Sequence, residues 1–321
     1  MKWRISTFIA VFVVATARCQ APGQGPLVAF SSENAIVVIS KTGKATSTIK
    51  LPIRVGEFSF SPDLKTLVVV SPHPDESGGK MYLYSLASKR LQGIPAKTLL
   101  PKSATPEVYS EPQFTEDGTK LLFNAHPQAE GDLYETSGSI GELDLKSFHA
   151  RALEFTDGLI TDGMLLSPNG REFLLWDEGK VIDANDGTTL FDFHDFQLEG
   201  PFKWALDEAW IGNSCVLYEA GKSASPRTKG GISYFVLDLK SLKSTPTIKA
   251  LGLSDKDLDG LVSYRYPYAI VKSTPDSAGN RGQEYYLVSP GAVRTGVAPG
   301  RASLVQLLPS TLAGDLDAEC N

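Results

Sequence analysis

Two histidines invite a chemical reading. His73 and His126 are each followed by proline, in SPHPDESGG (71–79) and NAHPQAEG (124–131), with Asp75 and Glu76 beside the first and Glu130 and Asp132 beside the second. Imidazoles near carboxylates supply the nitrogen and oxygen donors that transition metals take. Neither histidine has a second one a helical turn away, so the competing reading is a stiff His-Pro loop opening with solvated acids around it. A second cluster, SDKDLDG (254–260), puts Asp255, Asp257 and Asp259 at alternate positions before Gly260, a spacing that can converge on calcium. Tyr266 stands where an EF-hand needs its bidentate glutamate, so a calcium loop of another kind and a plain acidic turn both remain open, with no cofactor as the base expectation. No G-x-S-x-G elbow, P-loop or dinucleotide fingerprint occurs, and SGSIG (137–141) is not an elbow.

Whatever chemistry these residues do depends on the elements that carry them, and those elements repeat. FSFSPDLKTLVVVSP (58–72) returns as QFTEDGTKLLFNA (113–125) and LLSPNGREFLLWD (165–177), each an apolar run, a Ser/Thr-x-Asp/Asn turn and a second apolar run. Asp117-Gly118 and Asn169-Gly170 suit the positive φ of a tight primed hairpin, whereas Asp63-Leu64 lacks the glycine and predicts a looser turn. A second phrase, a strand ending in Ser or Asp before a polar turn, recurs at Ser40, Ser85, Asp144, Asp183, Asp238 and Ser289. Ser40 and Ser289 are 249 residues apart, five intervals of about 50. Four short strands per fixed period are the signature of a propeller blade. Runs such as LVVV (67–70) and YFVL (234–237) read as strands buried on both faces, and helical periodicity is scarce.

The S/T-P-D/N-G-K/R phrase with its following apolar strand resembles the TolB-like, WD-type β-propeller repeat, most clearly in the second, third and fourth units. Six markers imply six blades, so the expected fold is all-β, a six-bladed β-propeller of four-stranded antiparallel blades over 27–308, with seven blades the alternative if 190–230 hides a further unit. The fifth unit (FKWALDEAWIG, 202–212) reads as degenerate, and the sixth keeps only its later strands. The first unit lacks an opening strand, whereas SLVQLL (303–308) has no unit of its own; pairing the two would close the ring and hide an exposed edge.

Outside the propeller, residues 1–17 read as a signal peptide: Lys2 and Arg4, the apolar run 8–14, then Ala15-Thr16-Ala17. Residues 18–26 and 309–321 read as tails, and Arg18 argues against a lipid anchor at Cys19. The protein is therefore expected outside the cytoplasm, periplasmic or extracellular, with no transmembrane segment in the mature chain. Cys215, in the apolar run CVLY, reads as a small buried hydrophobe. Cys19 and Cys320 are a disulfide candidate if the chain's ends meet, free thiols otherwise. A net charge of −6 with interspersed signs argues against nucleic acid.

With strands a to d in each unit, the b–c and d–a loops share one face, and the b–c loops are the longest polar segments. Candidate binding-face residues are His73, Asp75, Glu76, His126, Glu130, Asp132, Asp177, Glu178, Arg227 and Arg281. Aromatics such as Trp176, Trp204, Trp210, Tyr264, Tyr266 and Tyr268 could line a groove but are expected mostly in packing between blades. The expected role is a monomeric binding or scaffolding module for a protein or peptide. The alternative is a metal-assisted hydrolase or lyase centred on the channel mouth.

Overall fold

The computed structural model describes residues 28–40, 43–72, 79–94, 107–127, 138–156, 164–167, 169–175, 179–193, 204–210, 214–221, 232–246, 261–265, 268–272, 284–289, 293–299 and 305–307. Nearly all of them are strand or turn. Among the described residues the one helical segment is a 3₁₀ turn, Glu154–Thr156, and no helix is long and apolar enough to cross a membrane.

The first sheet takes β1 (Val28–Ser32), β2 (Ala35–Ile39) and β3 (Ala45–Lys50), and β24 (Val305–Leu307) joins its edge beside β1, giving the order β24-β1-β2-β3. Ala29 lies opposite Gln306, so the SLVQLL segment completes the first sheet as expected. Next come β4 (Glu57–Phe60), β5 (Thr66–Pro72), β6 (Gly79–Ser85) and β7 (Leu91–Gly93), then β8 (Glu107–Phe114), β9 (Lys120–Pro127), β10 (Ser139–Asp144) and β11 (His149–Ala152). These two groups of four are joined into one eight-stranded sheet by a single pairing, Gly79 with Tyr109. Three further four-stranded sheets follow in chain order. They are β12 (Met164–Leu166) to β15 (Thr189–Asp192) through β13 (Glu172–Leu175) and β14 (Lys180–Asp183); β16 (Trp204–Trp210) to β19 (Lys243–Pro246) through β17 (Cys215–Gly221) and β18 (Ile232–Asp238); and β20 (Leu261–Arg265) to β23 (Val293–Pro299) through β21 (Tyr268–Lys272) and β22 (Glu284–Ser289). The last sheet is a full antiparallel set, so its opening strands exist although the repeat phrase is missing there.

Apolar side chains from successive sheets mesh face to face. Ala29, Ile36 and Val38 meet Phe58, Phe60 and Leu67; Val68, Val70 and Met81 meet Tyr109, Leu121 and Phe123. Leu122 and Ile140 meet Leu166 and Phe173; Leu174 and Val181 meet Trp210, Val216 and Tyr218. Val28, Phe30 and Ile39 pack on Ile270, Tyr285 and Leu287, so the fifth sheet returns to the first. Leu67 to Val70 are all buried, as a strand covered on both faces requires.

The repeated phrases turn out to be turn chemistry. In the first phrase, the Ser61 hydroxyl donates to Asp63 Oδ1 (2.7 Å), Asp63 accepts from Lys65 N (3.0 Å), and Thr66 N donates back to Ser61 Oγ (2.9 Å). Thr115 with Asp117, and Ser167 with Asn169, build the same cage. Each is a four-residue loop held by one i→i+3 backbone bond, Leu64 N to Ser61 O in the first. The expectation of a two-residue primed turn is thereby corrected. Only one loop residue has positive φ, and Leu64 (φ 56°) takes the place of Gly118 (φ 67°) and Gly170 (φ 71°). The turn lacking glycine is therefore the same turn, with leucine paying the left-handed strain. In the second phrase the marker carboxylates hold the β10–β11 and β18–β19 turns: Asp144 accepts from Lys146 N and Ser147 N, and Asp238 from Lys240 N. Four residues beyond the markers Ser85, Asp144, Asp183 and Asp238 the chain turns left-handed, at Lys89, Phe148, Gly187 and Leu242.

Candidate functional site

The rim carrying the β1–β2, β5–β6 and β9–β10 connections is the b–c/d–a face of the sequence reading. Its best-described part grows from the Glu33-Asn34 turn, where Glu33 is left-handed (φ 49°). The Glu33 carbonyl accepts from Val55 N (2.6 Å) and the Asn34 carbonyl from Leu51 N (2.8 Å), tying the β3–β4 connector to the turn. Leu51 and Val55 are buried, so the residues between them are pushed outward. Pro52, Ile53 and Arg54 thus line, with Glu33 and Asn34, an open cleft of about 490 Å³. Both charged side chains and Pro52 are exposed, and Ile53 is half-buried.

Beside this cleft the innermost strands are sewn together by side chains. Glu57 Oε2 accepts from the backbone N–H of Glu111 on the neighbouring sheet segment (2.5 Å). Glu111 itself is left-handed (φ 50°), at a break in register between Ser110 and Gln113, and its carboxylate accepts from Asn124 Nδ2 (2.8 Å). Burial pushes the Glu57 carboxyl above its ordinary value, and the Glu111 amide offsets only part of that. One sheet further, Gln113 Oε1 accepts from Leu166 N (2.9 Å); beyond it, Trp210 Nε1 donates to the Leu165 carbonyl (2.9 Å). The Gln113 bond satisfies an edge backbone N–H that points away from the β12–β13 ladder. The sequence reading missed Glu57 and Glu111, yet a signal existed: each stands four residues before the Ser61 or Thr115 of its repeat.

His126 proves to lie in strand β9, opposite Val108, rather than in the loop where the sequence reading put it; that connection begins after Pro127. His73, Asp75, Glu76, Glu130, Asp132, Asp177, Glu178, Arg227 and Arg281 lie outside the described residues, as do Asp255, Asp257, Asp259, Cys19 and Cys320. The roots of two of the loops are nevertheless placed. Pro72 pairs with Gly79, Gly79 with Tyr109, and Tyr109 with Ala125, one row across four strands. The chain leaves this row toward His73 from Pro72 and enters His126 directly after Ala125. Gly79 is obligatory in the row, since a Cβ there would sit 1.8 Å from the Ser71 carbonyl oxygen. Among the described residues no group of three or more His, Cys, Asp or Glu side chains could hold a metal.

Trp210 is the one member of the aromatic set whose side chain is described, and it is a core residue between two sheets. Cys215 is buried but is not a plain hydrophobe: it is disulfide-bonded. The chain has three cysteines, so its partner is Cys19 or Cys320, and the pairing of those two with each other is ruled out in this structure.

No family model and no curated protein matches the chain. Among solved structures, TolB from Acinetobacter baumannii superposes with a TM-score of 0.57 at 15% identity, covering 89% of this chain and 67% of that one. An oligogalacturonate lyase in complex with manganese gives 0.49 at 13% identity over 87% and 83% of the two chains. Puromycin hydrolase gives 0.48 at 13% identity over 84% and 42%. The fold is that of the TolB-like β-propellers.

Proposed function

We propose that this protein is an exported, monomeric six-bladed propeller that binds a protein or peptide through its b–c/d–a face. In this reading the eight-stranded sheet is two blades joined at Gly79 and Tyr109. The observation that carries the proposal is the cleft at Glu33, Asn34, Pro52, Ile53 and Arg54. It offers an exposed guanidinium and an exposed carboxylate around apolar Pro52 and Ile53, on a connector pinned by two backbone bonds. A rigid base with mixed apolar and charged contacts suits a peptide segment, because little ordering is needed on binding. Photo-cross-linking tests it. A cross-linker replacing Arg54 should capture a discrete partner from envelope extract, and one replacing Lys240, in a c–d turn on the opposite rim, should not. Equal capture from both positions, or from neither, would count against this face.

The row from Pro72 to Ala125 favours a second reading, in which the rim holds a transition metal and carries hydrolase or lyase chemistry. It sets the root of the His73 loop level with His126. Elemental analysis of purified wild-type protein, and of His73→Ala and His126→Ala variants, separates the two. A stoichiometric metal lost in both variants supports the enzyme; its absence from wild-type protein removes that reading.

A further inference from the structure

We propose that the cleft selects its peptide by charge. An acidic side chain of an internal peptide segment pairs with Arg54, a basic one pairs with Glu33, and an apolar residue between them covers Pro52 and Ile53. This rests on the reading of the face as a peptide-binding surface and names what the peptide must carry. Arg54 and Glu33 line the same cleft, yet they form no ion pair with each other. Neither side chain is bonded among the described residues, whereas Lys65 pairs with Asp63 and both Lys120 and Arg151 pair with Glu142. The backbone adds donors. Pro52 has no N–H, and the amides of Ile53 and Arg54 bond to no described residue, although those of Leu51, Val55 and Gly56 on either side are all taken. Two consecutive open amides beside a guanidinium favour an oxygen anion, and the two oxygens of a carboxylate match the guanidinium fork. Glu33 in the same cleft repels a ligand that is only anionic, so the complementary ligand brings a cation as well. A peptide segment passing through the open cleft supplies both signs, whereas a terminal carboxylate or a phosphate alone supplies one. The frame is set before binding. Val55 N and Leu51 N bond to the Glu33–Asn34 turn, Gly56 N bonds to the Val70 carbonyl (2.9 Å), and Pro52 fixes its own φ.

A random peptide library displayed between fixed flanks, panned over the purified full-length protein and its variants, tests the proposal. Wild-type protein should enrich Asp or Glu close to Lys or Arg, with an apolar residue between them. Arg54→Glu should exchange the acidic preference for a basic one, and Glu33→Lys the basic preference for an acidic one. A synthetic peptide of the most enriched sequence, followed by fluorescence anisotropy, should bind Arg54→Gln about three- to tenfold more weakly than wild type. Added salt should narrow that gap. Both side chains are exposed and unbonded among the described residues, so the variants should melt with the wild-type protein. Enrichment that ignores both charge reversals overturns this proposal and leaves peptide binding at the face standing. Binding of inorganic phosphate alone, at the affinity of the best peptide, overturns it too. So does a library from which nothing is enriched, and the cross-linking at Arg54 then decides whether the face binds peptide in another manner.

Discussion

The recurrent Ser/Thr-x-Asp/Asn triplet is a device for turning the chain, and single side chains in it can be tested. Gly118→Ala forces a Cβ into a left-handed position and should cost about 1 kcal/mol in urea unfolding. Leu242 presents the opposite case, left-handed at φ 56° and 57% exposed, so it carries strain with little packing to offset it. Leu242→Gly should therefore raise stability, by about 0.5–1 kcal/mol. Asn169 builds the cage without a charge, so Asp117→Asn should be nearly neutral at pH 7. Acid distinguishes the two. The Thr115 hydroxyl and the Thr119 amide and hydroxyl hold the Asp117 carboxyl below its ordinary value. Its contribution is present above the unfolded value near 4 and lost as pH falls through the lower folded value; solvent screening keeps it small. The Asn variant should lack that part of the acid slope. Glu57 has the other sign. Its raised carboxyl favours the fold while protonated, and that contribution is lost as pH rises from the ordinary value through the folded one. Glu57→Gln should flatten the fall in melting temperature as pH rises above the ordinary carboxylate value. Much of this was legible as a repeated phrase, because the cage residues are local in sequence. The left-handed strain at Leu64 and Leu242 was not, since leucine carries no sign of it.

At the scale of strands, the same locality decides what could be read. Antiparallel neighbours within a sheet are adjacent in sequence, so alternation, apolar runs and turn residues announce them. Bonds between sheets use single polar side chains at long separation, such as Gln113 to Leu166 and Trp210 to Leu165, and no spacing rule marks those. Close approaches behave likewise. Gly141 sits opposite Phe123, and a Cβ there would come within 2.3 Å of the ring, which in turn packs edge-on against Tyr109 at 5.3 Å. Gly141→Ala should therefore destabilise by about 1–3 kcal/mol through displacement of Phe123, readable as a lowered denaturation midpoint and altered near-ultraviolet dichroism. The candidate site was legible only as a face. Its described residues, Glu33 and Pro52 to Arg54, occupy short connections without a motif, and their cleft exists because Leu51 and Val55 anchor either side of it.

For the whole molecule, the pairing of β24 with β1 is the part of the architecture argued from two sequence deficits together, a unit short of a strand and a strand short of a unit. Removing residues 301–321 takes away the inner strand of the first sheet. That truncation should aggregate or melt well below the full chain, more so than Cys320→Ser alone. The pairing also has a kinetic side. Ala29 and Gln306 are partners across 277 residues of chain, whereas most other strand pairs join neighbours a few residues apart. Contacts of such separation are paid for in loop entropy before they return anything, so they form late. The middle sheets can assemble while β1 still waits with a bare edge. A refolding trace should then show early gain of strand signal and a slower final phase, and during that interval the waiting edge is the surface through which two molecules would most readily exchange strands.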